Sequence, residues 1–386
     1  MSNDLNKTYR KPPMRTVFFA ARKIHRTYFS KLSSRIPDSK VIYYKQCVLP
    51  ALKSIPASKI KEIVQNLIQE KQNNPKRRNK SVTYWKLFST FKHLEASWLY
   101  LVYSRELSTS NADKMVIWNG LKYRQLIAIA AARGLNIQCI FMENGLLPGY
   151  TTLDAKGINY VNSVPRAPSF FLNYKRTGPH SLIEAAPSQI YSGKPETLPN
   201  DYFFIPFQVN TDSQITRFSP WIKDMYDLVQ MINQVSITMG KSSPELVFKL
   251  HPASDEDYSL LIKGIRNTKI HFLTDNKITT NELIHHAKAV ITVNSTVGIE
   301  ALLANRKVIV LGNAFYNIEG LTLKAVSDQE LIEAIDTIDG WQLNKLLREN
   351  FFSYLAEEYQ LPGRWQECSD EHLEITASRI QQVEAL

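Results

Sequence analysis

Between residues 202 and 311 short apolar runs alternate with helix-length segments, and this constrains the fold more than any other feature of the sequence. The runs are Tyr202-Phe203-Phe204-Ile205-Pro206, Leu246-Val247-Phe248-Lys249-Leu250, Lys269-Ile270-His271-Phe272-Leu273, Ala289-Val290-Ile291-Thr292-Val293 and Lys307-Val308-Ile309-Val310-Leu311. A strand that is apolar at successive positions is buried on both faces, which calls for helices on both sides of a parallel sheet. Helices are expected between the runs, from about Pro220 to Met239, over Asn281 to Ala287 and over Val297 to Ala304. This alternation is the doubly wound signature.

A shorter series precedes it. Met115-Val116-Ile117-Trp118 is a strand, broken by Asn119-Gly120. Leu121 to Arg133 is a helix with Leu126, Ile127, Ile129 and Ala130 inward, closed by Gly134. Ile137 to Met142 is the next strand, so a second βαβ unit is predicted. Residues 143–200 are rich in Gly, Pro, Asn and Ser and show no period. A long irregular stretch inside a compact domain is often functional.

A chain of 386 residues accommodates two such halves. Hydrophobic content of 44% with 22% charged residues excludes a disordered chain. Lys plus Arg total 47 against 36 Asp plus Glu, a net charge of +11, which favours anionic partners. Nucleic acid is not expected among them, because no nucleic-acid module accompanies the basic residues. Residues 1–80 read as basic and mostly helical. Arg15, Arg22, Lys23, Arg26, Lys31 and Arg35 sit among Phe18, Phe19, Tyr28 and Phe29. Such a segment suits an anionic membrane surface, although a helix packed on the domain with a solvated basic face is the commoner outcome. The run Pro75-Lys76-Arg77-Arg78-Asn79-Lys80 is expected to be a solvated loop. Cys47, Cys139 and Cys368 stand far apart, which fits a reducing compartment. No run reaches membrane-spanning length and no long secretory apolar segment is present. The expected location is cytoplasmic, with peripheral contact to the inner membrane.

Ligands of parallel α/β sheets bind at the carboxyl ends of the strands, and several polar clusters fall there. Lys249 and His251, followed by Pro252, stand on the same side of one strand end and could both reach a phosphate. A histidine satisfied by a loop carbonyl is the alternative. Asn294-Ser295-Thr296 leads from a strand straight into a helix, where free N–H groups and the helix dipole favour an anion. Plain N-capping by the same residues would look identical. Glu300, one turn on, could hold ribose hydroxyls. Phe315 and Tyr316 follow another strand end and could shape a sugar or base pocket, unless they are simply buried loop aromatics. Asp212, after the strand at 202–206, is a candidate nucleophile or base, and Glu143, at a first-half strand end, a candidate acid/base. Either acid alone is more often a capping or surface residue. Asp255-Glu256-Asp257 reads as a helix opening and not a metal motif, and the adjacent His285-His286 point apart. No metal or other cofactor is expected.

These residues resemble the bacterial capsule polysaccharide biosynthesis family, which includes retaining β-Kdo glycosyltransferases. The resemblance runs from about 115 to 325. It is carried by Met142-Glu143-Asn144-Gly145-Leu146-Leu147-Pro148, by Thr152-Leu153-Asp154 with Gly157-Ile158-Asn159, and by Pro206-Phe207-Gln208 with Asp212 and Gln214. Lys249 with His251-Pro252, Asn294 to Leu302, and Gly312 with Phe315-Tyr316 complete it. The resemblance implies a GT-B-like fold, two Rossmann-like halves with the active site in the cleft between them. The domains would be an acceptor-side half with its basic helical extension over 1–200, a nucleotide-sugar half over 201–340, and a helical tail over 341–386 folding back on the first half. The donor would be CMP-β-Kdo and the acceptor a saccharide or glycolipid of a capsule or O-antigen. Asp212 would be the nucleophile, and Lys249, His251 and the Ser295 helix start would hold the leaving phosphate. Three rivals remain at this stage: a sialyltransferase or other CMP-sugar transferase, a nucleotide-sugar epimerase, and a non-catalytic assembly factor. Arg166 could meet an anionic acceptor group or simply face solvent.

Overall fold

The computed structural model describes residues 15–176 and 194–383. Its strands form two separate six-stranded sheets. The first sheet begins earlier than the sequence pattern suggested. β1 (Thr16–Ala20) is the apolar island Val17-Phe18-Phe19, and it is fully buried between β2 (Ser39–Tyr43) and β3 (Lys114–Trp118), parallel to both. The apolar residues of the basic segment are therefore part of the core, while Arg15, Arg22, Lys23, Arg26 and Lys31 stay exposed, which is the packed helix with a solvated basic face, preceded by a strand the pattern did not show. α1 (Lys23–Ser33) follows, with Tyr28, Phe29 and Leu32 buried. The aromatic residues that suggested a membrane helix all face the interior, because a buried strand five residues long is too short to show a period against its basic flanks. The segment before residue 15 lies outside the described residues.

Two long helices, α2 (Ala57–Gln72) and α3 (Val82–Thr109), then cross to β3. α4 (Tyr123–Arg133) leads to β4 (Gln138–Asn144), parallel to β3, so the predicted βαβ unit is present. The stretch from 143 onward is less irregular than its composition implied. β5 (Tyr150–Asp154) turns back antiparallel to β4, and α5 (Pro168–Leu172) follows. Asp154 organises what lies between. It is buried, and its carboxylate accepts from the backbone N–H groups of Lys156, Gly157 and Ser163 and the hydroxyls of Ser163 and Tyr359.

The second sheet is all parallel: β6 (Tyr202–Pro206), β7 (Glu245–Lys249), β8 (Ile270–Leu273), β9 (Ala289–Thr292), β10 (Lys307–Val310) and β11 (Leu323–Lys324). Between them run α6 (Ser213–Phe218), α7 (Met225–Met239), α8 (Ser259–Gly264), α9 (Thr280–His286) and α10 (Val297–Leu303), and α11 (Asp328–Thr337) follows the last strand. Their order, β11-β10-β9-β6-β7-β8, reverses direction between β6 and β9. That reversal opens a crevice at the carboxyl ends of β6 and β9, the place where Rossmann-like sheets take ligands. Two apolar layers cover the sheet, one containing Phe204, Val247 and Val290, the other Phe203, Leu246 and Ile291.

The tail divides between the halves. α12 (Lys345–Tyr354) places Leu347, Phe351 and Phe352 in the second-half layer beside Phe171 and Phe315. β12 (Gln360–Pro362) then pairs antiparallel with β5 and closes the first sheet. α13 (Asp370–Gln382) packs on α1, with Arg35 bonded to Asp370 (2.5 Å) and to Glu374. The buried Lys114 ammonium donates to the carbonyls of Ile380 (3.0 Å) and Gln381 (3.1 Å), at the negative end of the α13 dipole. Two Rossmann-like halves facing one cleft make the GT-B-like arrangement.

Candidate active site

A cleft of about 1420 Å³ lies between the halves, lined from one side by Asn119, Glu143 and the 144–150 loop, and from the other by strand ends of the second sheet. Glu143, at the end of β4, projects into it. Asn119 positions the carboxylate. Its backbone takes a left-handed turn (φ 63°) and its amide donates to Glu143 Oε2 at 2.7 Å. The Asn144 N–H donates to Oε1 at 3.0 Å. Burial pushes the Glu143 carboxyl above its usual range; the two hydrogen bonds hold it back, and the negative charge of Asp212 across the cleft raises it further. Gly145 permits the turn after it, since a Cβ there would lie 2.2 Å from the Tyr150 carbonyl oxygen.

Asp212 sits at the end of the loop that leaves β6. It caps α6: Oδ1 accepts from the Gln214 N–H (2.9 Å) and the Ser213 hydroxyl (3.3 Å). Among the described residues Oδ2 has no hydrogen bond, and Asp212 is exposed within the cleft. The capping role and a chemical role therefore use different oxygens of one carboxylate. The loop is locked from behind by Asn294, which is 1% exposed. Asn294 exchanges hydrogen bonds with the Gln208 side chain (3.1 and 3.3 Å), donates to the Gln214 carbonyl (2.9 Å) and accepts from the Gln214 amide on its own carbonyl (3.1 Å). Asn294 was expected at the ligand; it is instead a positioning residue one layer below.

His251, past the end of β7, lines the cleft. Its Nδ1 accepts from the Ala253 N–H at 3.1 Å, so the neutral ring carries its proton on Nε2. Burial lowers its pKa and Asp212 partly restores it. The ring is thus a neutral donor. Ser295 and Thr296 line the same wall, and the Ser295 Oγ accepts from the Val297 N–H, leaving its hydroxyl proton for a ligand. Glu300 opens onto the cleft one turn along α10, with its carboxyl pushed up by the protein around it.

Other expected residues lie elsewhere. Lys249 is buried, and its ammonium donates to the Ile278 carbonyl; it is not among the cleft-lining residues. The strand ends at Lys249 and the chain turns over 251–254, so the alternation of the strand does not govern His251. Phe315 and Tyr316 are both buried. Phe315 packs on Phe351 and under the Arg166 guanidinium, and the Tyr316 hydroxyl donates to the Ser295 carbonyl (2.5 Å). Tyr316 supports the Ser295 turn from below and is not among the cleft-lining residues. Arg166 donates to the carbonyls of Tyr160, Asn162 and Val164 and is not among the cleft-lining residues, so its bonds are to its own loop. Asp255 and Glu256 pair with Lys76 (2.9 Å) and Arg78, which makes the basic 75–80 loop a clasp between the halves.

Asn119 was visible in the sequence only as a strand-end residue, and Gln208 and Gln214 only as parts of the family resemblance, with no role attached. Arg348 carried no signal at all. It comes from α12, is 4% exposed, and lines the cleft beside Asn305, whose Oδ1 accepts from its Nη1. Its Nε has no partner among the described residues. A buried guanidinium matched only by a neutral amide is a ready partner for an anion or a carbonyl.

Comparison with known proteins follows these features. The profile of the family described as capsule polysaccharide biosynthesis protein matches residues 113–193 and 192–363. Protein FixF of Sinorhizobium fredii is 33% identical over 288 residues, 72% of this chain and 68% of FixF. The capsule polysaccharide export protein KpsS of Escherichia coli is 37% identical over 131 residues, 31% of this chain and 32% of KpsS. Among solved structures, the β-Kdo 2,4 transferase of Thermosulfurimonas dismutans KpsC aligns over 88% of this chain and 90% of its own, with 14% identity and a TM-score of 0.48.

Proposed function

This chain belongs to the capsule polysaccharide biosynthesis family, and from that premise we propose that it is a retaining glycosyltransferase that moves Kdo from CMP-β-Kdo to a saccharide or glycolipid acceptor. The observation that carries this reading is the pair of carboxylates, Glu143 and Asp212, on opposite walls of one cleft that also holds His251 and the Ser295-Thr296 turn. CMP is a good leaving group. As the bond between the anomeric carbon and the phosphate oxygen breaks, its electron pair passes to the phosphate. The His251 Nε2–H, the Ser295 hydroxyl and the positive end of the α10 dipole stabilise that charge without a metal. Asp212 Oδ2 attacks the anomeric carbon from the opposite face and forms a glycosyl ester. The acceptor hydroxyl then displaces Asp212 and gives its proton to Glu143. Two inversions leave the configuration retained. Glu300 and Arg348 would hold the nucleoside portion further along α10.

Asp212→Asn tests the assignment. Transfer should fall by at least roughly 10³-fold, with CMP affinity by calorimetry unchanged. Wild-type rates in that variant would rule out the nucleophile. Supplying CMP-Kdo and CMP-sialic acid in parallel and measuring CMP release identifies the sugar.

A further inference from the structure

α3 buries Ala96, Tyr100, Tyr103 and Leu107 on one face, against α2 and α4. Its opposite face is not polar. Leu87, Phe91, Leu94 and Trp98 recur at helical spacing and form one stripe directly opposite the buried one. They are 69%, 62%, 68% and 51% exposed. The stripe continues onto a second segment. The Ala51 N–H donates to the Leu101 carbonyl (3.0 Å), which lays the 47–55 loop along the same helix. That loop presents Val48, Leu49 and Leu52, the last with its whole side chain in solvent. Single exposed apolar residues are ordinary, but a contiguous face of them marks an interaction site.

The charges around this face decide what it meets. Lys45 and Lys86 stand exposed at its margins, and Arg105 extends the stripe two turns past Trp98. At the helix start, Lys80 lies on the Tyr84 ring (5.8 Å) and Arg77 on the Phe88 ring (6.0 Å). The neighbouring acids are engaged, Glu95 with Lys92 and Glu106 with Lys40 (3.9 Å). A second copy of the chain laid on this face would bring a cationic margin against itself, which is repulsive. An anionic lipid surface satisfies both parts. Headgroup phosphates meet the lysines and arginines, while the indole, phenyl and leucine side chains enter the interfacial region. We propose that the outward face of α3, with the Val48–Leu52 loop, docks this protein on an anionic membrane surface. The inference does not depend on which sugar or nucleotide the cleft takes.

Sedimentation with vesicles tests it, using phosphatidylcholine alone and an equimolar mixture of phosphatidylcholine and phosphatidylglycerol. The full chain should pellet with the mixed vesicles and remain in solution with the neutral ones. Leu52→Ser combined with Phe91→Ser and Trp98→Ser should weaken that binding at least about tenfold, with an unchanged thermal melt as the sign of an intact fold. Should that variant unfold early, Lys86→Glu with Arg105→Glu is the second test and should also release the protein from mixed vesicles. Three results would overturn the proposal: no pelleting of the wild type with mixed vesicles, undiminished pelleting of folded variants, or a lipid-free dimer that the triple substitution makes monomeric.

Discussion

Glu143 and His251 both work in their deprotonated forms. The Glu143 carboxyl is raised above 4.5, chiefly by burial, and it must be ionised to accept the proton of the acceptor. Transfer should therefore fall as pH drops through that raised value, and Glu143→Gln should remove this acid limb while lowering the rate by roughly 10²–10⁴-fold. A pH–rate profile of the two proteins under saturating donor is the measurement. An acid limb that survives in the glutamine variant would assign the titration to another group. His251 works in its neutral form, because Nδ1 already accepts from the Ala253 N–H and Nε2 holds the proton. Burial lowers its pKa, which favours that neutral form. His251→Ala should weaken CMP binding roughly tenfold or more, the worth of a hydrogen bond to a charged group, and leave cytidine binding unchanged. Equal losses for CMP and cytidine would remove His251 from the phosphate.

The turns that carry these side chains are constrained by neighbouring elements. Gly145 passes so close to β5 that any Cβ would overlap the Tyr150 backbone. Backbone cannot move aside as a flexible side chain can, so Gly145→Ala should displace the Glu143 turn, cost on the order of 2 kcal/mol in stability, and reduce transfer more than CMP binding. Denaturant melts and calorimetry on one preparation separate these effects. The same turn is braced from the tail: the Leu147 N–H donates to Gln360 Oε1 (3.0 Å), and the Trp365 indole donates to Asn144 Oδ1 (2.8 Å). On the facing wall, the Asn294 knot holds the Gln208–Gln214 loop. Asn294→Ala leaves the Gln208 amide and the Gln214 carbonyl without their partner, so it should lower the transfer rate through Asp212 while the donor KM changes little. A rate equal to wild type would show that the loop keeps its place without the knot.

At the scale of the molecule the chain is threaded through both halves. It leaves the first sheet after β5, builds the whole second sheet, and returns as β12 and α13. Removing residues 360–383 uncovers Leu361, Trp365, Leu373 and Ile380, all buried on α1 and the first sheet. Burial of such side chains contributes about 1.5–3 kcal/mol each, a sum comparable to the whole stability of a typical domain. The truncated chain should lose cooperative folding of its first half, read as a broadened melt and loss of transfer. A sharp melt at the wild-type temperature would contradict the bracing role given to the tail.

The second sheet was legible in the sequence because parallel strands buried on both faces appear as unbroken apolar runs, and the polar residues after each run fall at strand ends by necessity. Glu143, Asp212, His251 and Ser295-Thr296 were located in that way. β1, β5 and β12 were not: β1 is a lone apolar run set among basic residues, β5 carries two threonines and an aspartate, and β12 has three residues and pairs with a strand far off in sequence. Which strand-end side chains enter the cleft was likewise beyond local pattern. Lys249 turns under the surface to the Ile278 carbonyl, while His251, two residues on and past the strand, lines the cleft. Asn294 becomes the knot behind Asp212 because Gln208 and Gln214 arrive beside it from another strand end. Arg348 reaches the cleft only because α12 packs across the second sheet. Sequence determines which residues stand at strand ends, because that follows from local periodicity; the packing of distant segments decides which of them face a ligand.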